Sequence, residues 1–279
     1  MFADLFAKPI ERGDRELLAT LHRRIRPLLL RRTKEQVATE LPPKQESVLS
    51  VELAPRHRKI YETHLQRERQ KILGLIDDMH KNRFTILRSL TLLRQLSLDP
   101  ALVDEAYDGV GSAKIDVLLE HLDEVVSEGH RALVFSQFTG FLRRVRDRLD
   151  ASGIGYAYLD GRTRKRAQVI EAFTSCEVPV FVISLKAGGF GLNLTQADYC
   201  FVLDPWWNPA VEAQAVDRIH RIGQRRTVMV YRLVSSDTIE TKVMELKARK
   251  QKLFASVMDD DGEFGSVLTA DDIRGLLGA

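Results

Sequence analysis

The central region of the sequence predicts an α/β fold, with a parallel sheet covered by helices on both faces. Five short apolar or β-branched runs recur between residues 132 and 234, and helical patterns separate them. Runs that are almost continuously apolar are typical of strands buried on both faces of a parallel sheet. Their alternation with helices favours crossover connections, which place the active loops at the carboxyl ends of the strands.

The residues before this region predict mainly helix. Apolar residues at helical spacing predict a helix over residues 15–30, and the prolines at 42–43 end that segment. Residues 48–53 predict a short strand. A long charged stretch over residues 55–95, broken by Gly74, predicts a projecting helical hairpin more than a buried layer.

Helices and strands then alternate from about residue 111. In chain order the predicted elements are helix 115–126, strand 132–135, helix 141–149, strand 156–159, helix 164–173, and strands 178–183, 199–203 and 228–234. A basic amphipathic helix over residues 238–257 follows them. The acidic tail after it predicts one weak helix at residues 271–277.

Composition excludes several classes of protein. The 279 residues are 44% hydrophobic and 29% charged, which suits a globular protein. No apolar run approaches the roughly 18 residues of a membrane span, and no leader pattern opens the chain. We therefore expect a cytoplasmic (nucleoid-associated in a prokaryote) or nuclear protein, neither secreted nor membrane-bound. Cys176 and Cys200 lack zinc-site spacing, so no metal site is predicted.

The charge distribution is more informative than the net charge of +3. Basic residues cluster at 23–34, 56–71, 143–148, 162–166 and 218–226, whereas acidic residues gather at 259–272. A basic surface with a separate acidic end fits a phosphate-rich partner. The simpler alternative, for any one cluster, is a solvated helix face.

Two arginines in the segment QAVDRIHRIGQ, residues 214–224, are the main chemical signal. Arg218 and Arg221 are three residues apart, so on a helix both project from one face. Paired guanidiniums bind phosphate oxygens, and an arginine supplied from a second lobe stabilises a phosphoryl group in transfer. Asp217 can pair with Arg221, and Gly223 offers a helix stop. The alternative is a surface helix with ion pairs.

A glycine-rich segment, SLKAGGFGLN at residues 184–193, follows one apolar run. Its glycines allow positive φ and close approach of a ligand or another lobe, and bare backbone N–H groups there can bind phosphate. It is not a Walker A loop, because no Gly-Lys-Ser/Thr sequence occurs in this chain. The alternative is a tight turn between a strand and a helix.

Three other strand ends carry polar or aromatic residues. The segment DPWWNP at residues 204–209 has adjacent tryptophans, which cannot easily both be core. Ser136 and Gln137 offer neutral donors suited to phosphates, as does Thr163. Capping of the following helix explains Thr163 equally well.

In this order the segments resemble the carboxyl-terminal half of the Swi/Snf-type remodeller ATPases, which are superfamily-two helicase-like proteins. The matching strings are ALVFSQFTG, YLDGRT, ISLKAGGFGLNLTQAD, DPWWNPAVEAQAVDRIHRIGQ and, upstream, PLLLRRTKEQVATELPPK and LRQLSLDP. The resemblance covers about residues 6–257. The string LRQLSLDP departs from the family's usual cysteine-asparagine-histidine form.

The resemblance implies a domain organisation. Residues 109–235 would form a RecA-like second lobe, with residues 46–108 as a helical protrusion. Residues 236–279 would hold a brace helix and the acidic tail. Residues 1–45 would form the exit segment from a first lobe, whose phosphate loop and acidic metal-binding motif do not occur in this sequence.

The resemblance also implies a function and site residues. The function is ATP-dependent translocation on double-stranded DNA, with no hydrolysis expected without the first lobe of the same protein, which holds ATP with Mg²⁺. Arg218 and Arg221 match the catalytic finger positions. The implied nucleotide-side residues are Gly189, Gly191, Gln214, Asp217, Arg218 and Arg221, and the implied DNA-side residues are Ser136, Gln137, Thr163, Lys186 and Trp207. The alternatives are a non-catalytic binding module and a strand-separating helicase.

Overall fold

The structure is a computed structural model that describes residues 5–6, 9, 14–25, 40–187, 192–206, 209–257 and 270–278. The chain divides into two compact units, residues 1–41 and 42–279. The first unit contains helix α1, Arg15–Ile25. Its start is fixed because Asp14 Oδ1 accepts a hydrogen bond from the Leu17 backbone N–H at 3.0 Å. Residues 26–30 of the predicted helix lie outside the described residues.

Six strands in the described part of the second unit form one sheet. They are β1 Lys44–Val51, β2 Ala132–Ser136, β3 Tyr156–Leu159, β4 Val180–Ser184, β5 Tyr199–Val202 and β6 Val228–Ser235. Their order is β1-β6-β5-β2-β4-β3, and every neighbouring pair is parallel. The predicted α/β fold with a parallel sheet is confirmed.

Eight helices of the described residues lie between these strands or after the last of them. They are α2 Pro55–Leu73, α3 Met79–Leu98, α4 Ala113–Ser127, α5 Thr139–Ala151, α6 Arg166–Thr174, α7 Pro209–Val216, α8 Ile239–Val257 and α9 Ala270–Leu276. Short 3₁₀ turns lie at Ile76–Asp78, Pro100–Leu102 and Glu105–Val110.

Successive residues of the central strands point to opposite faces and build two cores. On one face Phe135 and Ile183 pack with Phe173 of α6 and Val216 of α7. These side chains are at most 1% exposed, and burying each contributes about 1.5–3 kcal/mol of hydrophobic free energy.

The opposite face is covered in the same way. Val134 and Val182 pack there with Leu118 of α4 and Val145 of α5. Every β2 residue is consequently buried, which explains why that stretch of sequence is apolar without alternation. Helices on both faces are thus confirmed.

A third core corrects the expectation of a projecting hairpin. The helices α2 and α3 do form a hairpin, yet it has a buried side. Ile72 of α2 and Leu93 of α3 are fully buried in a cluster with Val243 of α8 and Ile273 of α9. Most of the charged residues that suggested projection occupy the outer faces, since long helices bury only one stripe, whereas Glu68 and Arg94 are buried.

The sheet also extends beyond residues 109–235. β1 comes from the segment expected to form the protrusion, but it pairs along its length with β6, from Lys44 opposite Val228 to Val51 opposite Ser235. The other domain boundaries stay a prediction. Among the described helices, none has the length and apolarity needed to cross a membrane.

Candidate functional site

Ser136 ends β2 and corrects one expected contact. Its side chain is fully buried, and its Oγ accepts a hydrogen bond from the Phe138 N–H at 3.0 Å. It also hydrogen-bonds to Asp204, which follows β5. The hydroxyl therefore orients the protein's own groups and is not available to a DNA phosphate.

Gln137, the next residue, is half-buried at the carboxyl edge of the sheet. Its backbone N–H donates to the carboxylate of Asp204 at 3.2 Å. Its side-chain Nε2 is buried and has no hydrogen-bond partner among the described residues. A buried unsatisfied donor costs about 1–3 kcal/mol, so a rotation of this side chain that brings the amide to an acceptor would be favoured.

Thr163 closes a turn after β3. Its Oγ1 accepts from the Asp160 N–H at 3.0 Å and donates to Asp160 Oδ1 at 3.1 Å. The capping alternative is wrong, because α6 begins at Arg166 and Lys165 occupies the N-cap position. The turn presents the half-buried Thr163 beside the exposed side chain of Arg162.

Lys186 follows β4 and its side chain is exposed. It lines a shallow cleft with residues of the β3–α6 turn and α6, among them Gly161 and Arg166. The Arg166 guanidinium donates to Ala187 O at 3.0 Å and so holds the start of the glycine-rich segment. The implied residues Gly189, Gly191 and Trp207 lie outside the described residues.

The arginine segment departs from the expected helix. α7 ends at Val216, so Arg218 and Arg221 lie in the turn that follows it. The Arg218 N–H donates to Ala215 O, an i to i−3 bond of the kind that tightens the end of a helix. The Arg221 N–H donates to Ile219 O, so the helical hydrogen-bond pattern ends before Arg221. The charge of Arg221 nevertheless acts on Arg218, which indicates that the two arginines remain neighbours.

Arg218 is half-buried and Arg221 is exposed. The Arg218 backbone carbonyl accepts from the Leu194 N–H at 3.1 Å, and its Nη1 lies 3.5 Å from Leu192 O. Its Nε is buried with no acceptor in the described part of the chain. Within those same residues neither arginine has a carboxylate oxygen within 4.0 Å.

Burial, followed by the neighbouring charge of Arg221, lowers the pKa of Arg218 below its usual range. The charge of Asp217 acts in the opposite direction. Two like charges therefore act on each other in this turn, and a bound anion would relieve their repulsion. Gln214 is exposed on α7.

The arginine turn and the DNA-side residues occupy different parts of the sheet. Gln224 Nε2 donates to Ala197 O, just before β5, and His220 Nε2 lies 2.8 Å from Pro42 O, just before β1. The end of the turn is therefore near the amino ends of these strands, whereas Gln137 is at the carboxyl edge. This part of the turn thus differs from the expectation that active loops lie at the carboxyl ends of the strands.

Residues 203–206, called the tryptophan loop below, reveal functional candidates that the sequence reasoning missed. Lys114 Nζ donates to Leu203 O at 2.7 Å. The Trp206 N–H donates to Glu212 Oε2 at 3.4 Å. Lys114 and Glu212 are 1% and 2% exposed, so buried charges hold both ends of the loop.

The sequence contains a signal for the buried Lys114. Lys114 precedes the buried Leu118 by four residues and Leu122 by eight, so it lies on the apolar stripe of α4. A lysine at that position is buried only if it is paired. Its partner is Glu240 of α8, at 2.5 Å. A local sequence pattern does not predict a partner so distant in sequence.

Two family models match the chain. The Helicase conserved C-terminal domain matches residues 113–223, and the SNF2-related domain matches residues 1–102. The chain is 38% identical over 278 residues to an uncharacterized ATP-dependent helicase of Mycoplasma pneumoniae, covering 99% of this chain and 26% of that protein. It is 36% identical over 260 residues to the human SWI/SNF-related matrix-associated actin-dependent regulator of chromatin subfamily A member 1, covering 88% and 25%.

Solved structures also match the chain. The Sulfolobus solfataricus SWI2/SNF2 ATPase core in complex with dsDNA gives a TM-score of 0.66 at 30% identity, covering 99% of this chain and 59% of that one. The C-terminal part of the Fun30 ATPase domain gives 0.66 at 25% identity, covering 85% and 98%. The chain spans about a quarter of the length of the curated relatives it matches. With its parallel sheet and ordered motifs, it belongs to the Swi/Snf family of helicase-like proteins and contains their carboxyl-terminal RecA-like lobe.

Proposed function

We propose that this chain is the second motor lobe of an ATP-dependent translocase on double-stranded DNA. Arg218 and Arg221 would reach ATP and Mg²⁺ held mainly by a first RecA-like lobe. Membership of the Swi/Snf family supports the proposal, as does the similarity to a structure solved with double-stranded DNA.

One observation carries the nucleotide side of the proposal. Two neighbouring guanidiniums lie in one turn, and neither has a carboxylate partner within 4.0 Å in the described residues. Structural arginines that are partly buried are normally paired. Guanidinium groups fit the geometry of phosphate oxygens, so this turn suits the negative charge that spreads over a transferred phosphoryl group.

On the DNA side, the proposal keeps the residues whose donors are exposed or lack a partner within the described residues. Gln137 offers an unpartnered amide, Lys186 an exposed ammonium, and Thr163 a hydroxyl at an exposed turn. We retain Trp207 on the resemblance alone. Ser136 would act only indirectly, through Asp204.

The arginine assignment is tested by ATP turnover of this chain joined to a first RecA-like lobe of the same family, with and without duplex DNA. Arg218→Ala and Arg221→Ala should each lower kcat by about a thousand-fold while changing nucleotide affinity far less. Arg225→Ala is the matched control, because that exposed arginine follows the same turn. Turnover by either finger variant equal to that of the control would refute the assignment.

A non-catalytic DNA-holding module would behave differently. If the chain is a motor lobe, its DNA binding without the first lobe should be weak and should fall steeply as salt is raised. Tight binding by this chain that is insensitive to salt, together with no turnover when the first lobe is present, would favour the module.

A further inference from the structure

Arg94 of α3 lies at the centre of the contacts around the tryptophan loop. Its side chain is 3% exposed. Its Nη2 donates to Pro205 O at 2.5 Å and lies 3.6 Å from Asp204 Oδ2. Its guanidinium carbon is 5.5 Å from the ring centroid of Trp206 and 5.4 Å from that of Phe138. One side chain thus binds the loop backbone, its carboxylate and its indole.

The contacts of Arg94 fix the geometry of the tryptophan loop more than they add to the free energy of unfolding. An ion removed from water loses its hydration, and well-packed apolar side chains often stabilise a core equally well. A planar guanidinium that contacts two aromatic rings favours particular orientations of both rings. Arg94 therefore fixes where the Trp206 indole lies relative to Phe138.

The loop that Arg94 holds connects the two parts of the candidate site. Asp204 accepts from the backbone N–H of Gln137, on the proposed DNA side. Glu212, which accepts from the Trp206 N–H, lies on α7, and α7 leads directly into the turn that carries Arg218. A shift of the tryptophan loop would consequently change the positions of both Gln137 and the arginine turn.

We propose that Arg94 is a positioning residue, which fixes the tryptophan loop so that DNA engaged at the Gln137 side is sensed at the arginine turn. The part of the inference that concerns DNA sensing, called the DNA step below, rests on the proposed function. Its structural step, the hold on Trp206, stands on the contacts alone and can be tested without DNA or nucleotide.

The structural step has a direct optical readout. The chain has two tryptophans, at 206 and 207. In a Trp207→Phe background the emission therefore comes from Trp206 alone. Arg94→Met keeps an unbranched, flexible stem but removes the charge and the planar group, so acrylamide quenching of Trp206 should increase by about two-fold or more. Arg88→Met is the matched control, an exposed arginine on the same helix, and should leave quenching unchanged.

A folded Arg94→Met variant with wild-type circular dichroism and wild-type quenching would overturn the inference. Arg94→Lys retains the charge and lacks only the planar group, so it provides a second arm if the methionine variant does not fold. Intermediate quenching of Trp206 in a folded lysine variant supports the inference. Quenching equal to wild type in that variant overturns it.

The DNA step is measured in the chain joined to a first RecA-like lobe. The DNA concentration that gives half-maximal ATPase stimulation should rise by about ten-fold in Arg94→Lys. The rate without DNA should stay within about two-fold of wild type, a split that general destabilisation would not produce. An unchanged DNA requirement overturns the sensing role. If wild type itself shows no stimulation, the proposed function fails, while the quenching result still decides the hold on Trp206.

Discussion

Lys114→Met tests whether the buried ion pair with Glu240 supports the fold. The lysine is 1% exposed and the carboxylate is fully buried, with 2.5 Å between Nζ and Oε2. Methionine fills most of the same volume, so the variant leaves little cavity. It leaves Glu240 charged without its counter-ion and Leu203 O without its donor.

The magnitude follows from those losses. Removing one partner of a buried ion pair typically destabilises by about 3–5 kcal/mol, and an unsatisfied carbonyl adds to it. We therefore expect the free energy of unfolding of Lys114→Met to fall by about 4 kcal/mol and the melting temperature by roughly 10 °C. The hydrogen bond from the Ser235 N–H to Glu240 remains and limits the loss.

Urea unfolding of wild type and Lys114→Met at pH 8, followed by circular dichroism, measures the difference in the free energy of unfolding. A loss below about 1 kcal/mol at pH 8 would refute the reasoning, given the expected penalty for an unpaired buried charge.

Three further changes are expected to give measurable results. Burial lowers the pKa of His57 below its ordinary 6.5, with a hydrogen bond to Leu96 O opposing the shift. The unfolded chain then protonates first, so stability should decrease as pH falls below 6.5, and His57→Gln should flatten that slope in urea titrations. Gly223 has φ +103°, so Gly223→Ala should cost about 1–2 kcal/mol in thermal unfolding, whereas Gly161→Ala, at an unstrained open position, should be neutral. Lys186→Ala should reduce the slope of log DNA affinity against log salt by about one, and an unchanged slope would exclude a phosphate contact.

Local patterns were enough to predict the central sheet. The apolar run 178–183 corresponds to β4, Val180–Ser184, because strands covered on both faces need apolar residues at every position. β1 was predicted as a strand but not as part of this sheet. Most of its side chains are exposed and Lys44–Glu46 are polar, so no pattern within the strand indicates its distant partner β6.

The candidate site was predictable where chemistry depends on neighbours in sequence. The spacing of Arg218 and Arg221 indicated their proximity, although it could not distinguish a helix from the turn that follows α7. The contacts of Asp204 could not be predicted from the sequence, because Arg94 precedes it by more than a hundred residues. Such pairs are set by how α3 packs beside the sheet, which the hydrophobic period of a single helix does not specify.

The position of β1 has a consequence for synthesis. β1 leaves the ribosome first among the strands of the sheet, and β6, its neighbour, leaves last. At 5–20 residues per second the gap is roughly ten to forty seconds, during which the nascent strand has no correct edge to join. The charges of Lys44 and Glu46 discourage pairing with a foreign edge in that interval. The polarity that hid β1 from the sheet prediction thus protects the growing polypeptide until its last strand arrives.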